Sequence, residues 1–111
     1  MNIMSPQLTN EGIEQLADAQ YKLGIDLTEK HSIFYRMFHR TNENEAMLAF
    51  AQAHLLYQRI NALLSANTCR ANISGIAKRL GKTEEEKEEI YLKAHQGLQR
   101  TFELLEQMSD Y

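Results

Sequence analysis

The sequence predicts an all-α protein, a single-domain helical bundle of about four to five helices that spans residues 1–111 and ends in a long C-terminal helix. Proline occurs only once, at position 6, so nothing beyond the first residues breaks a helix by removing a backbone N–H. Apolar residues recur at spacings of three and four over most of the chain. Valine is absent, and no stretch alternates β-branched and polar residues as a strand does.

The first predicted helix begins at Ser5 and Pro6, since serine is a good N-cap and proline fits the first helical turn. Apolar positions then recur at helical spacing as far as Leu23. Gly24 follows them and is predicted to end the helix in a left-handed conformation.

The second predicted helix is short and covers 27–40. Asp26 and Glu29 form a capping-box pattern at its start, with aspartate in the place of serine or threonine. Its apolar arc covers about half of the circumference and includes Tyr35 and Phe38. That width exceeds what one neighbouring helix covers, so we expect part of this arc to contact a partner.

The third predicted helix covers 46–64 and follows a polar segment in which Thr41 or Asn42 is the expected N-cap. Its apolar residues lie on two opposite sides, marked by Tyr57 and by Leu55. A helix that is apolar on both sides is normally buried on both sides, so we expect this helix to be central. A side that its neighbours left uncovered would be an interaction surface.

The segment 65–72 allows two interpretations, a loop or a low-propensity passage within one helix that reaches Leu80. Gly81 is the expected stop. The last predicted helix covers 83–108 and opens with a capping box formed by Thr83 and Glu86. A sustained apolar stripe supports it, made of Ile90, Ala94, Leu98, Thr101, Leu105 and Met108.

Composition points to an ordinary globular protein. The net charge is -3, and 43% of the residues are hydrophobic. The single cysteine, Cys69, cannot form an intramolecular disulfide and suits a reducing compartment. No secretory signal pattern and no membrane-length apolar run occurs, so we expect a cytoplasmic protein without membrane contact.

The run from Ile76 to Gly81 resembles the first helix and turn of a DNA-binding helix-turn-helix, with a small residue at Ala77 and a turn glycine four positions later. The next helix of that motif presents basic or amide side chains to base edges. Here the segment 83–89 carries five glutamates, which phosphates would repel. A helix C-cap followed by a capped acidic helix therefore accounts for the segment better than DNA recognition does.

Neither a metal site nor an active site is predicted. No two of the four histidines stand three or four residues apart, and no glutamate stands three residues before a histidine, as a di-iron bundle requires. His31 lies on an apolar stripe, where a hydrogen-bonded histidine is more common than a ligand. Cys69 lacks a recognisable base, so it is interpreted as a small buried hydrophobe.

These patterns favour a non-enzymatic protein–protein interaction module, of the small adaptor or inhibitor type common among accessory proteins, that needs no cofactor and covers a surface of a protein partner. A homodimer is expected, with the last helix or the 46–64 helix at its interface. The alternative is a nucleic-acid-binding regulator that uses the basic segment 70–82. The predicted partner-binding residues are Tyr35, Phe38, Arg70, Lys78, Arg79 and Lys82.

Overall fold

A computed structural model of the chain describes residues 9–29 and 42–108. Four helices account for nearly all of them: α1 (Asn10–Glu29), α2 (Asn42–Arg59), α3 (Leu63–Leu80) and α4 (Glu84–Met108). These two described ranges contain no strand. The helical bundle is thereby confirmed, and so is the long C-terminal helix, which has 25 residues.

Helix α2 lies at the centre, because each of the other three helices packs extensively on it and they make few close contacts with one another. Nine of its residues are buried, on opposite sides of the helix: Ala46, Met47, Ala49, Phe50, Ala51, Ala53, His54, Leu56 and Tyr57. The prediction that this helix is central and buried on both sides is confirmed. Its four alanines let neighbouring backbones approach closely.

Helix α1 runs antiparallel to α2. The Tyr57 hydroxyl donates a hydrogen bond to Asp18, while nearer the other end of α2 the ring of Phe50 meets Tyr21 edge-on, with 5.6 Å between centroids. The later residue of α2 contacts the earlier residue of α1, so the two helices run in opposite directions.

Helix α3 runs antiparallel to α2, whereas α4 runs parallel to α2. The ring of His54 lies against Ala66 near the start of α3. The Arg59 guanidinium, at the end of α2, lies 4.7 Å from the ring centroid of Phe102 late in α4. The start of α3, the end of α2 and the end of α4 are therefore at the same end of the bundle.

The predicted stop at Gly24 is wrong, because α1 continues through it to Glu29. A Cβ on Gly24 would lie 2.7 Å from Cε1 of Phe50, so this glycine allows the aromatic ring to pack against the α1 backbone. The predicted capping box at Asp26 is wrong for the same reason, since Asp26 lies inside the helix.

The start of α1 also differs from the prediction. Asn10 is the first helical residue, and the hydroxyl of Thr9 accepts a hydrogen bond of 3.0 Å from the Gly12 N–H, which makes Thr9 the N-cap. Ser5 and Pro6 lie outside the described residues, as does most of the predicted helix over 27–40.

The predicted helix over 46–64 begins earlier, at Asn42, and ends earlier, at Arg59. A tight turn follows, in which Asn61 has a φ of 63° and the Ala62 N–H donates to the Tyr57 carbonyl at 2.9 Å. Asparagine tolerates this left-handed conformation better than most residues. Of the two expected N-caps, Asn42 is already the first helical residue and Thr41 lies outside the described residues.

Of the two interpretations of 65–72, the structure shows the helical one, since these residues belong to α3. Gly81 ends α3 as predicted, with a φ of 72°, while the Lys82 N–H donates to the Ala77 carbonyl at 2.8 Å. The two antiparallel helices α3 and α4 are thus joined by a short turn.

The predicted capping box of α4 is confirmed. The Glu86 N–H donates to the Thr83 hydroxyl at 3.1 Å, and the Thr83 N–H donates to Oε1 of Glu86 at 2.8 Å. Helix α4 then runs without a break to Met108. Within the described ranges, no helix has the length and apolar character needed to cross a membrane.

Candidate interaction surfaces

Cys69 is enclosed in the core and has no exposed surface. Burial raises the pKa of its thiol to about 11, because a thiolate would lose its hydration there. The nucleophilic form of cysteine is the thiolate, so this thiol is not activated at neutral pH. The interpretation of Cys69 as a small buried hydrophobe agrees with this environment.

Among the described residues, His54 is the polar side chain that is buried in the core. Its Nδ1 lies 2.8 Å from the Ala66 carbonyl, which can only accept, so Nδ1 carries the proton and donates. The ring of Tyr91 meets the imidazole edge-on, with 5.5 Å between centroids. His54 thereby joins α2 to the first turn of α3 and to α4.

The described residues include no group of three or more His, Cys, Asp or Glu side chains that could hold a metal ion. His95 is exposed on α4. The candidate ligand His31 lies outside the described residues, and so do the predicted partner-binding residues Tyr35 and Phe38.

The four predicted basic residues do not share one surface. Arg70 and Arg79 are nine residues apart on α3, about two and a half turns, which puts them on opposite sides of the helix. Arg79 makes an ion pair of 3.2 Å with Glu43 at the start of α2. Lys78 is exposed on the outward side of α3.

Lys82 lies at a cleft of about 370 Å³ between the N-terminal parts of α2 and α4. Leu48 and Ile90 form the apolar part of its lining. The remaining lining residues are polar or charged: Asn44, Glu45, Glu86, Glu89, Lys93 and Lys82 itself. Three glutamates therefore share the cleft with Lys82 and Lys93, so its charge is mixed and it is not a basic patch.

Exposed apolar side chains occur near one end of the bundle, and we call this region the apolar end. It lies where α3 begins and α4 ends, and it carries four large side chains with high exposed fractions: Leu63 (59%), Leu64 (82%), Leu104 (53%) and Met108 (65%). The sequence pattern did not indicate that Leu63, Leu64 or Leu104 is exposed. The available signal for Leu63 and Leu64 was Asn61, whose tolerance for a turn conformation separates them from the buried helix before them.

Helix α2 contributes no such surface. Its large apolar residues are buried or only partly exposed. The partly exposed ones, among them Leu48 and Leu55, pack against the core. The described structure therefore leaves no large apolar side chain of α2 exposed, and a homodimer interface on this helix stays a prediction. The three outer helices cover it.

Comparisons with known proteins give no relative for this chain: no family model, no curated protein and no solved structure matches it.

Proposed function

We propose that this protein is a non-enzymatic protein–protein interaction module, of the adaptor or inhibitor type, that covers a surface of a partner protein with its apolar end. The observation that carries the proposal is the exposure of Leu63, Leu64, Leu104 and Met108 at one end of the bundle. Single exposed leucines are common on protein surfaces, but several at one place are typical of an interaction site.

The position of the apolar end supports this role. Leu105 and Met108 continue the core-facing stripe of α4 beyond Phe102, which is level with the last residue of α2. Helix α4 is thus longer than α2 requires, and its last turns present apolar side chains where α2 no longer covers them. Ordinary core packing accounts for Ala94 and Leu98 but not for Met108.

The nucleic-acid alternative has no comparable support. Arg79 already pairs with Glu43, and Lys82 lies among carboxylates. A nucleic-acid surface needs cations that face phosphates together, which Arg70 and Arg79 on opposite sides of α3 do not provide. A homodimer through the last helix remains part of the proposal, as does a cytoplasmic location, which the single thiol Cys69 suits.

The test compares two variants with equal numbers of introduced charges. Leu64→Glu with Met108→Glu changes the apolar end, while Leu23→Glu with Leu80→Glu changes exposed leucines elsewhere. Each is expressed at native level in the source cell with a short-range crosslinker, and circular dichroism checks that both stay folded. We expect the wild type and the control variant to crosslink to the same partner protein. The variant changed at the apolar end should lose that crosslink. Retention of that protein by both variants would refute the apolar end as the binding surface.

A further inference from the structure

Helices α1 and α4 lie next to each other around α2, and Gln52 of α2 marks a common height on them. Its Oε1 accepts a hydrogen bond from Nε2 of Gln20 on α1, and its Nε2 lies 2.8 Å from the position that a Cβ on Gly97 of α4 would take. Gln20 and Gly97 therefore lie on either side of one α2 side chain. Because α1 is antiparallel to α2 and α4 is parallel to α2, α1 and α4 are antiparallel to each other.

The start of α1 and the end of α4 are at the same height. Thr9, the N-cap of α1, is eleven residues before Gln20, and Met108 is eleven residues after Gly97. Each interval corresponds to about 16 Å along its helix. Helix α2 does not reach this height, because its last residue lies beside Phe102, about 9 Å short of Met108.

The side of α4 next to α1 carries exposed apolar side chains in its last turns. Thr101, Leu104 and Met108 follow Gly97 at intervals of four, three and four residues, so all four lie along one stripe of the helix. Leu104 is 53% exposed and Met108 is 65% exposed. Helices α1 and α4 make few close contacts with each other, so α1 leaves these two side chains uncovered.

Residues 1–8 enter the bundle at this same place, because they lead directly into Thr9. Their sequence, MNIMSPQL, contains four large apolar side chains and no charged one. Ile3 and Met4 precede Thr9 by six and five residues, which an extended chain spans over about 17–20 Å. Two neighbouring helices that each pack about 8–10 Å from α2 lie less than about 20 Å apart, so this length reaches α4.

We propose that residues 1–8 cross from α1 to the last turns of α4 and cover Leu104 and Met108 with Ile3 and Met4. The segment brings no charged side chain that would lose its hydration in the contact. Pro6 restricts the backbone, which lowers the entropy lost when the segment is ordered. A partner protein then gains this part of the apolar end only by displacing the segment, which makes residues 1–8 an autoinhibitory element.

The competition with a partner rests on the proposed function, whereas the contact itself is tested in the isolated protein by disulfide formation. Ile3→Cys with Leu104→Cys places one thiol on each side of the contact. Ile3→Cys with Glu103→Cys is the matched control, since Glu103 is exposed at nearly the same height on another side of α4. The native Cys69 is buried and does not compete for the disulfide.

With oxidised glutathione as the oxidant, we expect the pair at 3 and 104 to close at least about tenfold faster than the control pair, because a docked segment holds its thiol at a high effective concentration. The product should be a crosslinked monomer of about 12.9 kDa on non-reducing electrophoresis. Equal rates for the two pairs would overturn the inference. A crosslink formed mainly between two chains would also overturn it, because a second copy would then be the occupant.

Hydrogen exchange tests the contact without added thiols. Ile3→Ser with Met4→Ser should speed exchange of the amides in 102–108 by at least about fivefold and leave 84–98 unchanged, because uncovered terminal turns open more often. Asn2→Ser with Gln7→Ser changes polar residues of the same segment and should leave both regions unchanged. Unaltered exchange at the end of α4 in the first variant would contradict the contact.

The inference and the proposed function fail separately. Ile3→Ser with Met4→Ser should raise the yield of the crosslinked partner protein by at least about threefold, because the segment no longer occupies the apolar end. A disulfide that closes selectively in a chain that captures no partner would support the contact and refute the proposed function. Capture through the apolar end by a chain whose two cysteine pairs close at equal rates would support the proposed function and refute the contact.

Discussion

Cys69 shows how burial controls the chemistry of one residue. The folded state raises the pKa of its thiol from 9.0 to about 11, so the folded protein holds the proton more tightly than the unfolded chain does. The resulting stabilisation is fully present below pH 9 and is lost as the pH rises from about 9 to about 11.

We expect the native thiol to react slowly with a thiol reagent at pH 8. Labelling should be at least on the order of 100-fold slower than in denaturant, the protection that an opening free energy of about 3 kcal/mol gives. The measurement is the labelling rate followed by absorbance, with the denatured chain as the reference for full accessibility. A native rate equal to the denatured rate would contradict the buried placement of Cys69.

Gly24 gives a second prediction at this scale. Replacing it with alanine should destabilise the protein by about 1–2 kcal/mol, although alanine is the better helix former. The added methyl group would lie 2.7 Å from the Phe50 ring, and that ring is itself held in the core. Urea unfolding followed by circular dichroism measures the change, and an increase in stability would show that the ring moves aside at little cost.

Gly24 and Gly81 also show what sequence alone could predict. Each follows a run of apolar residues at helical spacing, and each was expected to end a helix, but only Gly81 does. The difference comes from Phe50, 26 positions further along the chain than Gly24, whose ring occupies the space beside α1. Local patterns carry no information about such a distant contact.

At the scale of helices, the features that could be predicted well from the sequence are those formed by residues close together in the chain. The capping box of Thr83 and Glu86 is one example, since both of its hydrogen bonds join residues three apart. The boundary of α2 at Arg59 was not predicted, because alanines and leucines continue past it and only Asn61 marks the turn. The composition favours helix both before and after the turn, and the turn itself depends on the left-handed backbone conformation of Asn61.

Replacing Thr83 with alanine should cost about 1 kcal/mol, because the Glu86 N–H loses its acceptor at the start of α4. Thermal unfolding at neutral pH measures this loss, with Thr68→Ala on α3 as a control, since its hydroxyl only contacts the carbonyl one turn before it. Equal effects of the two substitutions would argue against a capping role.

The capping box also predicts a dependence on pH. The hydrogen bond from the Thr83 backbone lowers the pKa of Glu86 below its usual 4.5. Because the folded value is the lower one, the carboxylate stabilises α4 above about pH 4.5, and this contribution is lost as the pH falls through the folded pKa. The difference in melting temperature between wild type and Glu86→Gln should therefore shrink at acid pH, whereas a difference independent of pH would exclude this charge effect.

At the scale of the molecule, the alternation of charge along the chain decides which partners it can accept. Residues 60–83 carry no carboxylate, while five glutamates follow directly in 84–89. We expect duplex DNA at about 150 mM salt to give no specific complex, since Glu86 and Glu89 lie beside Lys82 in space as well as in sequence. The measurement is an electrophoretic mobility shift assay that compares the wild type with the Lys78→Ala and Arg79→Ala variants. A sequence-specific complex that both substitutions abolish would restore the nucleic-acid alternative.

The central position of α2 has a consequence for how the molecule opens. Because α1, α3 and α4 pack on α2 and make few close contacts with one another, each outer helix can detach without exposing the contacts of the other two. Amide hydrogens of α2 should then exchange with solvent only when the whole protein unfolds, whereas those of the outer helices exchange through smaller, separate openings. Hydrogen–deuterium exchange read by mass spectrometry would show α2 as the slowest segment, with protection near the global unfolding free energy. A binding partner that holds one outer helix would slow exchange in that helix alone, so the exchange pattern would locate the contact before any complex is solved.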